Sequence, residues 1–160
     1  MIKTIDIQSG ETAGLYQYLS AAVTPRPIAF VSTIDNEGNK NLSPFSFFNV
    51  FSINPPILVF SPVRRVRNNT SKHTLDNVNQ VKECVISLVT DEIAQQVSLA
   101  SSDFNKKTNE FEKAGFTAIK SDLISPSRIK ESPINFECKV NEVITLGKEG
   151  GAGSLVLCEV

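Results

Sequence analysis

Histidine is nearly missing from this chain: His73 stands alone among 160 residues. A Ser-His-Asp triad would have to use it, and no G-x-S-x-G elbow presents a serine nucleophile. A metal site would have to join His73 to carboxylates whose spacing is not that of ligands. Cysteine is almost as scarce. Cys84, Cys138 and Cys158 are odd in number, far apart and set among aliphatic residues, so they read as reduced buried thiols rather than a disulfide framework or a metal site. No G-x-G-x-x-G occurs, and Gly147-Lys148 runs into Glu149, which excludes a P-loop. The cluster Gly147, Gly150, Gly151 and Gly153 reads instead as a hairpin turn. No apolar run approaches the ~18 residues of a membrane span, and the start MIKTIDIQSGE lacks a basic region leading into an apolar one. A formal net charge of −1 points to neither nucleic acid nor an anionic membrane. These absences predict a cytoplasmic protein, in which three matches to the glycosylation sequon (at Asn41, Asn68 and Asn69) are chance.

What is present is ordinary for a globular chain, with 41% hydrophobic and 21% charged residues. A chain of this size buries roughly 68–70% of its unfolded surface, enough for one real core. Glu11–Val23 reads as an amphipathic helix with Leu15, Tyr18, Leu19 and Ala22 on one face, stopped by Pro25 and Pro27. Ile28–Ile34 is a buried strand, Asp35-Asn36-Glu37-Gly38 a hairpin signal, and Lys40–Phe51 its return arm. Ile57–Phe60 follows the punctuation Asn54-Pro55-Pro56, where a cis bond at either proline is compatible with the sequence. Helical spacing is predicted over Ser71–Lys82, Asp91–Ala100 (with Asp91 as cap) and Asn109–Lys113. Strands are predicted over Cys84–Val89, Phe116–Ile119, Ile134–Leu146 and Ser154–Val160. Many short strands with inserted helices favour an antiparallel barrel over a doubly wound sheet.

Two stretches carry possible chemistry. Ser61–Thr74 (SPVRRVRNNTSKHT) holds four of the sixteen Lys and Arg residues, mixed with hydroxyls and amides, and ends where a helix begins. Guanidinium forks, hydroxyl donors and a helix N-terminus suit a phosphate; a solvated basic loop is the plainer reading. Asn41–Asn49 (NLSPFSFFN) crowds aromatics beside small hydroxyl residues. It could seat an aromatic ring against backbone donors, or be a core strand with one aromatic face. Thr24-Pro25-Arg26-Pro27 is a stiff approach to the first core strand.

Taken in order, TPRPIAFVST (Thr24–Thr33), NLSPFSFFN with INPPILVFS (Ile53–Ser61), and TSKHTLDNV (Thr70–Val78) closely resemble the flavin reductase-like family of FMN-binding split barrels. That family includes reductase components of two-component monooxygenases and flavoredoxin-like proteins. The resemblance is strong over about residues 20–90 and rests on the β pattern over 130–160. It implies a mainly β (α+β) antiparallel Greek-key split β-barrel with peripheral helices, a homodimer, and FMN (or FAD) near the subunit interface, with NADH or NADPH as reductant. Carried over by position, Ser46 and Phe47 would face the isoalloxazine, Asn49 would brace their loop, and Arg26 and Pro27 would lie against ring or ribityl chain. Ser32, Thr33, Phe60 and Ser61 would stand nearby, and Arg64, Arg67, Lys72 and Thr74 would hold the phosphate. Many relatives have Lys-Asp-Thr where this chain has Lys72-His73-Thr74, so His73 reads as a phosphate contact or a solvent-facing side chain. Relatives also continue past the point matching Val160, which predicts that residues 1–160 are one domain shortened at its C-terminus. The implied activity is hydride transfer from nicotinamide to flavin N5, the flavin carrying the chemistry and no side chain acting as acid or base. Reduced flavin would then reach a partner oxygenase or another electron acceptor. A flavin oxidase on the same barrel and a non-catalytic FMN-binding electron carrier are the alternatives.

Overall fold

In the computed structural model, which describes residues 4–7, 12–105 and 108–160, one seven-stranded antiparallel sheet organises the chain. Its strands are β1 Ala29–Ile34, β2 Lys40–Phe45, β3 Phe48–Ile53, β4 Pro56–Phe60, β5 Glu83–Leu88, β8 Asn135–Thr145 and β9 Ser154–Glu159. The short pair β6 Ala118–Ile119 and β7 Arg128–Ile129 lies apart. Sheet order is β2-β1-β5-β8-β9-β4-β3, so β2 and β3, consecutive in the chain, form opposite edges. A flat sheet would put those edges about 29 Å apart, at ~4.8 Å per strand. Phe45 and Phe48 are separated by three Cα steps, which span at most about 11 Å. The sheet must therefore curl until its edges adjoin, and Ser46-Phe47 bridges the split.

The curl encloses the main core: Ala29, Val31, Phe45, Leu58, Phe60, Cys84, Ile86, Cys138, Val156 and Cys158, closed by Leu75 and Val78 of α2 (His73–Val81). A second core lies on the other face of β1, where Phe30 and Leu42 meet Ile93, Val97 and Ala100 around α3 (Ala94–Ala100) and Phe111 and Ala114 of α4 (Glu110–Ala114). Being covered on both faces explains why β1 is an unbroken buried run rather than an alternating one. The three cysteines, distant in sequence, converge in the barrel: all are buried and unbonded, and the Sγ atoms of Cys84 and Cys158 are 3.7 Å apart. Hydrogen bonding to the Cys138 and Cys158 thiols, and then burial, push the Cys84 thiol up from its ordinary range.

Several expectations are corrected. The return arm Lys40–Phe51 is two strands that belong to different edges of the sheet. Asp91 lies inside a 3-10 turn (Asp91–Ile93) ahead of α3, with Thr90 at its N-cap. α2 begins at His73, two residues later than its periodicity predicts. β7 was not expected at all; two residues carry no readable period. The first helix, α1, runs Thr12–Ala22, its expected start at Glu11 lying outside the described residues. The face chosen for it is not covered, since Tyr18 and Leu19 are exposed. Asn109 caps α4, accepting from the Phe111 amide, and Gly115 closes it in the left-handed region at φ 75°. Of the two prolines after Asn54, the Asn54–Pro55 bond is cis, as is Thr24–Pro25. The glycine cluster is the β8–β9 turn, as its composition suggests. No helix among the described residues is long and apolar enough to cross a membrane.

Candidate functional site

Where the barrel edges meet, the chain opens a cleft of ≈ 190 Å³ whose walls include Tyr16, Pro44, Phe45, Ser46, Phe47, Ser61 and Lys72. Ser46 and Phe47 lie between the end of β2 and the start of β3, and both line the opening. Ser61, at the end of β4, donates its amide to the Phe47 carbonyl at 2.8 Å and fixes the bridge from below. Tyr16 of α1 approaches Phe47, ring centroids 6.2 Å apart. Arg26 donates from Nε to Ser46 Oγ at 3.3 Å, and its guanidinium carbon stands 6.0 Å from the Phe47 centroid. The same guanidinium bonds the carbonyls of Ser20 and Val23, closing the C-terminus of α1.

Through Ser43, Lys72 and Ser101 the cleft continues into a polar trough lined by Asn41, Arg65, His73, Thr74, Asp103 and Glu110. Arg65 is the best-held cation there. Its NH1 donates to Thr70 Oγ1 at 3.2 Å and to the Ser71 carbonyl, while Nε and NH2 reach Asp103 Oδ1 at 3.0 and 2.7 Å. Lys72 is half-buried at the N-cap of α2, whose first turn has no side-chain cap, leaving a helix N-terminus directed at the trough. Burial, and then the neighbouring Arg65 charge, hold the Lys72 ammonium below its ordinary pKa, while Asp103 opposes them. Thr74 is buried and donates to Asn41 Oδ1 at 3.1 Å. Behind it the buried Glu110 carboxylate accepts from the Leu42 amide at 3.3 Å, and desolvation raises its pKa.

The basic loop is held from outside by the glycine turn. Val63 bridges Gly153, the Arg64 amide donates to the Ala152 carbonyl, and the Gly151 amide donates back to Arg64. A Cβ on Gly153 would stand 2.6 Å from Ser61 Oγ, and one on Gly150 would stand 3.0 Å from the Val66 backbone. Glycine is needed there for close approach.

The structure thus brings together Ser46, Phe47, Ser61, Lys72 and Thr74, with Arg26 at their margin. The other expected residues stand elsewhere. Ser32 and Thr33 are wholly buried in β1, Thr33 accepting from Asn77 and Ser32 Oγ having no hydrogen-bond partner among the described residues. Phe60 packs on Phe45 inside the barrel. Asn49 is exposed on β3 and accepts from the adjacent Val50 amide rather than bracing the bridge. Pro27 is exposed and does not line the cleft. Arg64 is turned onto Asn69, donating from Nε to Oδ1 at 2.7 Å, and Arg67 is held outward by Asp103. His73 is half-buried and lines the trough. Sequence reading missed Tyr16, Asp103 and Arg65; only Arg65 had a signal, within the run Arg64-Arg65-Val66-Arg67. No group of three or more His, Cys, Asp or Glu that could hold a metal occurs among the described residues. An aromatic, hydroxyl-lined cleft running into a polar trough, with Arg65 and Lys72 beside the N-terminus of α2, is suited to a planar ring carrying a phosphate tail.

The family described as flavin reductase like domain matches residues 21–160. An uncharacterized protein of Aquifex aeolicus is 42% identical over 136 residues, 84% of this chain and 69% of that one. Nitrilotriacetate monooxygenase component B from Bacillus cereus superposes with a TM-score of 0.93 at 28% identity, over all of this chain and 79% of its own. The 2-nitrobenzoate 2-nitroreductase of Pseudomonas fluorescens gives 0.86 at 31%, over 99% and 74%. The chain spans about two thirds of the length of the curated relatives it matches, 69% and 65% for the first two.

Proposed function

This chain belongs to the flavin reductase-like family, and from that premise we propose that it is an FMN-dependent oxidoreductase that takes reducing equivalents from NADH or NADPH. The observation that carries the reading is the continuity of the aromatic cleft with the polar trough. The donor set fits the cofactor. Arg65, Lys72 and the uncapped first turn of α2 offer a fork, an ammonium and backbone donors to a phosphate monoester. Ser43, Ser46 and Ser61 offer hydroxyls along a polyol chain, and Phe47 and Tyr16 offer apolar surface to a fused ring.

A flavin held by Ser46, Phe47, Arg65 and Lys72 would supply hydride acceptance at N5. The protein's part is positioning and exclusion of water. The Ser46-Phe47 bridge, anchored by Ser61 and Arg26, orients the ring edge. Polar N–H and O–H groups there favour negative charge on the reduced ring. A second, uncharged cavity of ≈ 280 Å³ shares Pro44, Ser46 and Ser101 with the cleft and is otherwise walled by Ile28, Val89, Ala94, Val97 and Ser98. It suits an uncharged ring of a second reactant, such as a dihydronicotinamide. Reduced flavin or its electrons would pass to a partner oxygenase or another acceptor, in a cytoplasmic homodimer. The component B and nitroreductase names of the two superposed relatives support that reading.

The test is a visible spectrum of the protein after FMN addition and gel filtration, repeated anaerobically with NADH and NADPH. Co-eluting flavin that bleaches with either nucleotide is expected. Retained flavin that stays oxidised would make the chain a carrier, and no retained flavin would remove the FMN assignment.

A further inference from the structure

The trough already contains an anion of the protein's own. Asp103, on the loop after α3, places Oδ1 on both Nε and NH2 of Arg65 at 3.0 and 2.7 Å, and Oδ2 3.4 Å from Arg67 NH2. The Nε/NH2 edge is the half of a guanidinium fork that takes carboxylate or phosphate oxygens in parallel. Arg65 does not need Asp103 to be oriented, because its NH1 is fixed by Thr70 Oγ1 and the Ser71 carbonyl of its own loop. The exposures differ in the same sense. The Arg65 side chain is 17% exposed, Asp103 51% and Arg67 80%. A deeply held cation thus has its anion-binding edge covered by a movable carboxylate, and a solvent-facing cation stands within reach of that carboxylate's other oxygen.

We propose that Asp103 is a displaceable counter-anion: a phosphate monoester displaces it from Arg65, and Arg67 receives it. This rests on the reading of the trough as a phosphate site. Arg67 then acts on the ligand through Asp103 and does not touch phosphate. Only a ligand whose terminal phosphate outcompetes the internal carboxylate opens the fork, and a flavin without phosphate leaves the Asp103–Arg65 pair closed. Phosphate has the advantage in that competition. It carries about −1.5 to −2 charge near neutral pH and three acceptor oxygens, against one charge and two oxygens, and Lys72 and the α2 N-terminus stand beside it.

The experiment compares wild type, Asp103→Asn, Arg67→Gln and the double variant, titrating FMN and riboflavin by flavin fluorescence and inorganic phosphate by thermal shift. Asp103→Asn is expected to bind FMN about two- to fivefold more tightly, the scale of losing one partly exposed competing ion pair. Riboflavin affinity should stay unchanged, and phosphate should stabilise the variant at lower concentration. Arg67→Gln alone should weaken FMN, and should have no effect once Asp103 is Asn. FMN binding that is unchanged or weaker in Asp103→Asn, or FMN and riboflavin moving together, overturns the proposal. An Arg67→Gln loss that persists in the double variant makes Arg67 a direct contact and overturns its role as receiver. Should wild type bind neither flavin, the FMN reading fails by itself. The phosphate arm then decides: earlier stabilisation of Asp103→Asn supports the displaced carboxylate, and an equal or later one refutes it.

Discussion

Lys72 is the residue on which charge and position meet most directly. In the folded chain its ammonium is disfavoured, first by burial and then by Arg65. Its folded pKa therefore lies below the unfolded value of 10.5. Between those two values the unfolded chain holds more protons, so this group makes stability rise with pH across that alkaline window. A bound phosphate reverses the sign by pushing the Lys72 pKa back up. FMN binding is accordingly expected to take up protons at Lys72 as pH rises toward 10.5, measured by calorimetry in buffers of different ionisation enthalpy. Lys72→Gln should abolish the uptake and weaken FMN about tenfold or more, the scale of a charged hydrogen bond, with riboflavin affinity unchanged.

At the scale of elements, the site is held by a hairpin that acts through its backbone. The β8–β9 turn docks on the basic loop through backbone hydrogen bonds at Arg64 and the Val63–Gly153 bridge. Gly153 can sit there only because it lacks a Cβ, which would meet Ser61 Oγ at 2.6 Å. Gly153→Ala is expected to destabilise the fold by roughly 1–3 kcal/mol, the usual cost of overpacking. Ser61→Ala should restore most of that loss, because the next atoms, Leu146 Cδ1 and Ser61 Cβ, are 3.8 and 4.0 Å away. Urea melts of the two single variants and the double variant measure this; independent losses would mean that the clash is not the cause.

For the molecule as a whole, the notable surface is the β3 edge of the curled sheet. Phe51 is 70% and Ile53 82% exposed, with Val50 beside them. Phe51 is the extra residue of an irregularity between Val50 and Ser52. Large apolar side chains on an unpaired edge strand invite association. Together with the family resemblance, this predicts a homodimer of twice the chain mass in light scattering. Phe51→Glu with Ile53→Glu should shift it to monomer without unfolding it, since neither side chain is in the core; an unchanged mass would place the interface elsewhere.

The local order of elements was written in the sequence. The β-branched run of β1, the helical spacing of Leu75 and Val78 and the short helical run after Asn109 each act through neighbours a few residues away, so the main elements were legible together with the aromatic bridge and the basic loop. Curvature was not legible. Only the closed sheet separates Lys40–Phe51 into two edges, gathers Cys84, Cys138 and Cys158 into one core, and buries Ser32 and Thr33 beyond reach of the cleft. The choice among cations was equally tertiary. Arg64, Arg65 and Arg67 are alike as letters, and they differ because Asn69 claims the first, Asp103 from another element claims the second, and the third faces water. Residue types and their periods decide local structure; which donors converge on one site is set by contacts between segments far apart in the chain, and these exist only once the sheet has curled.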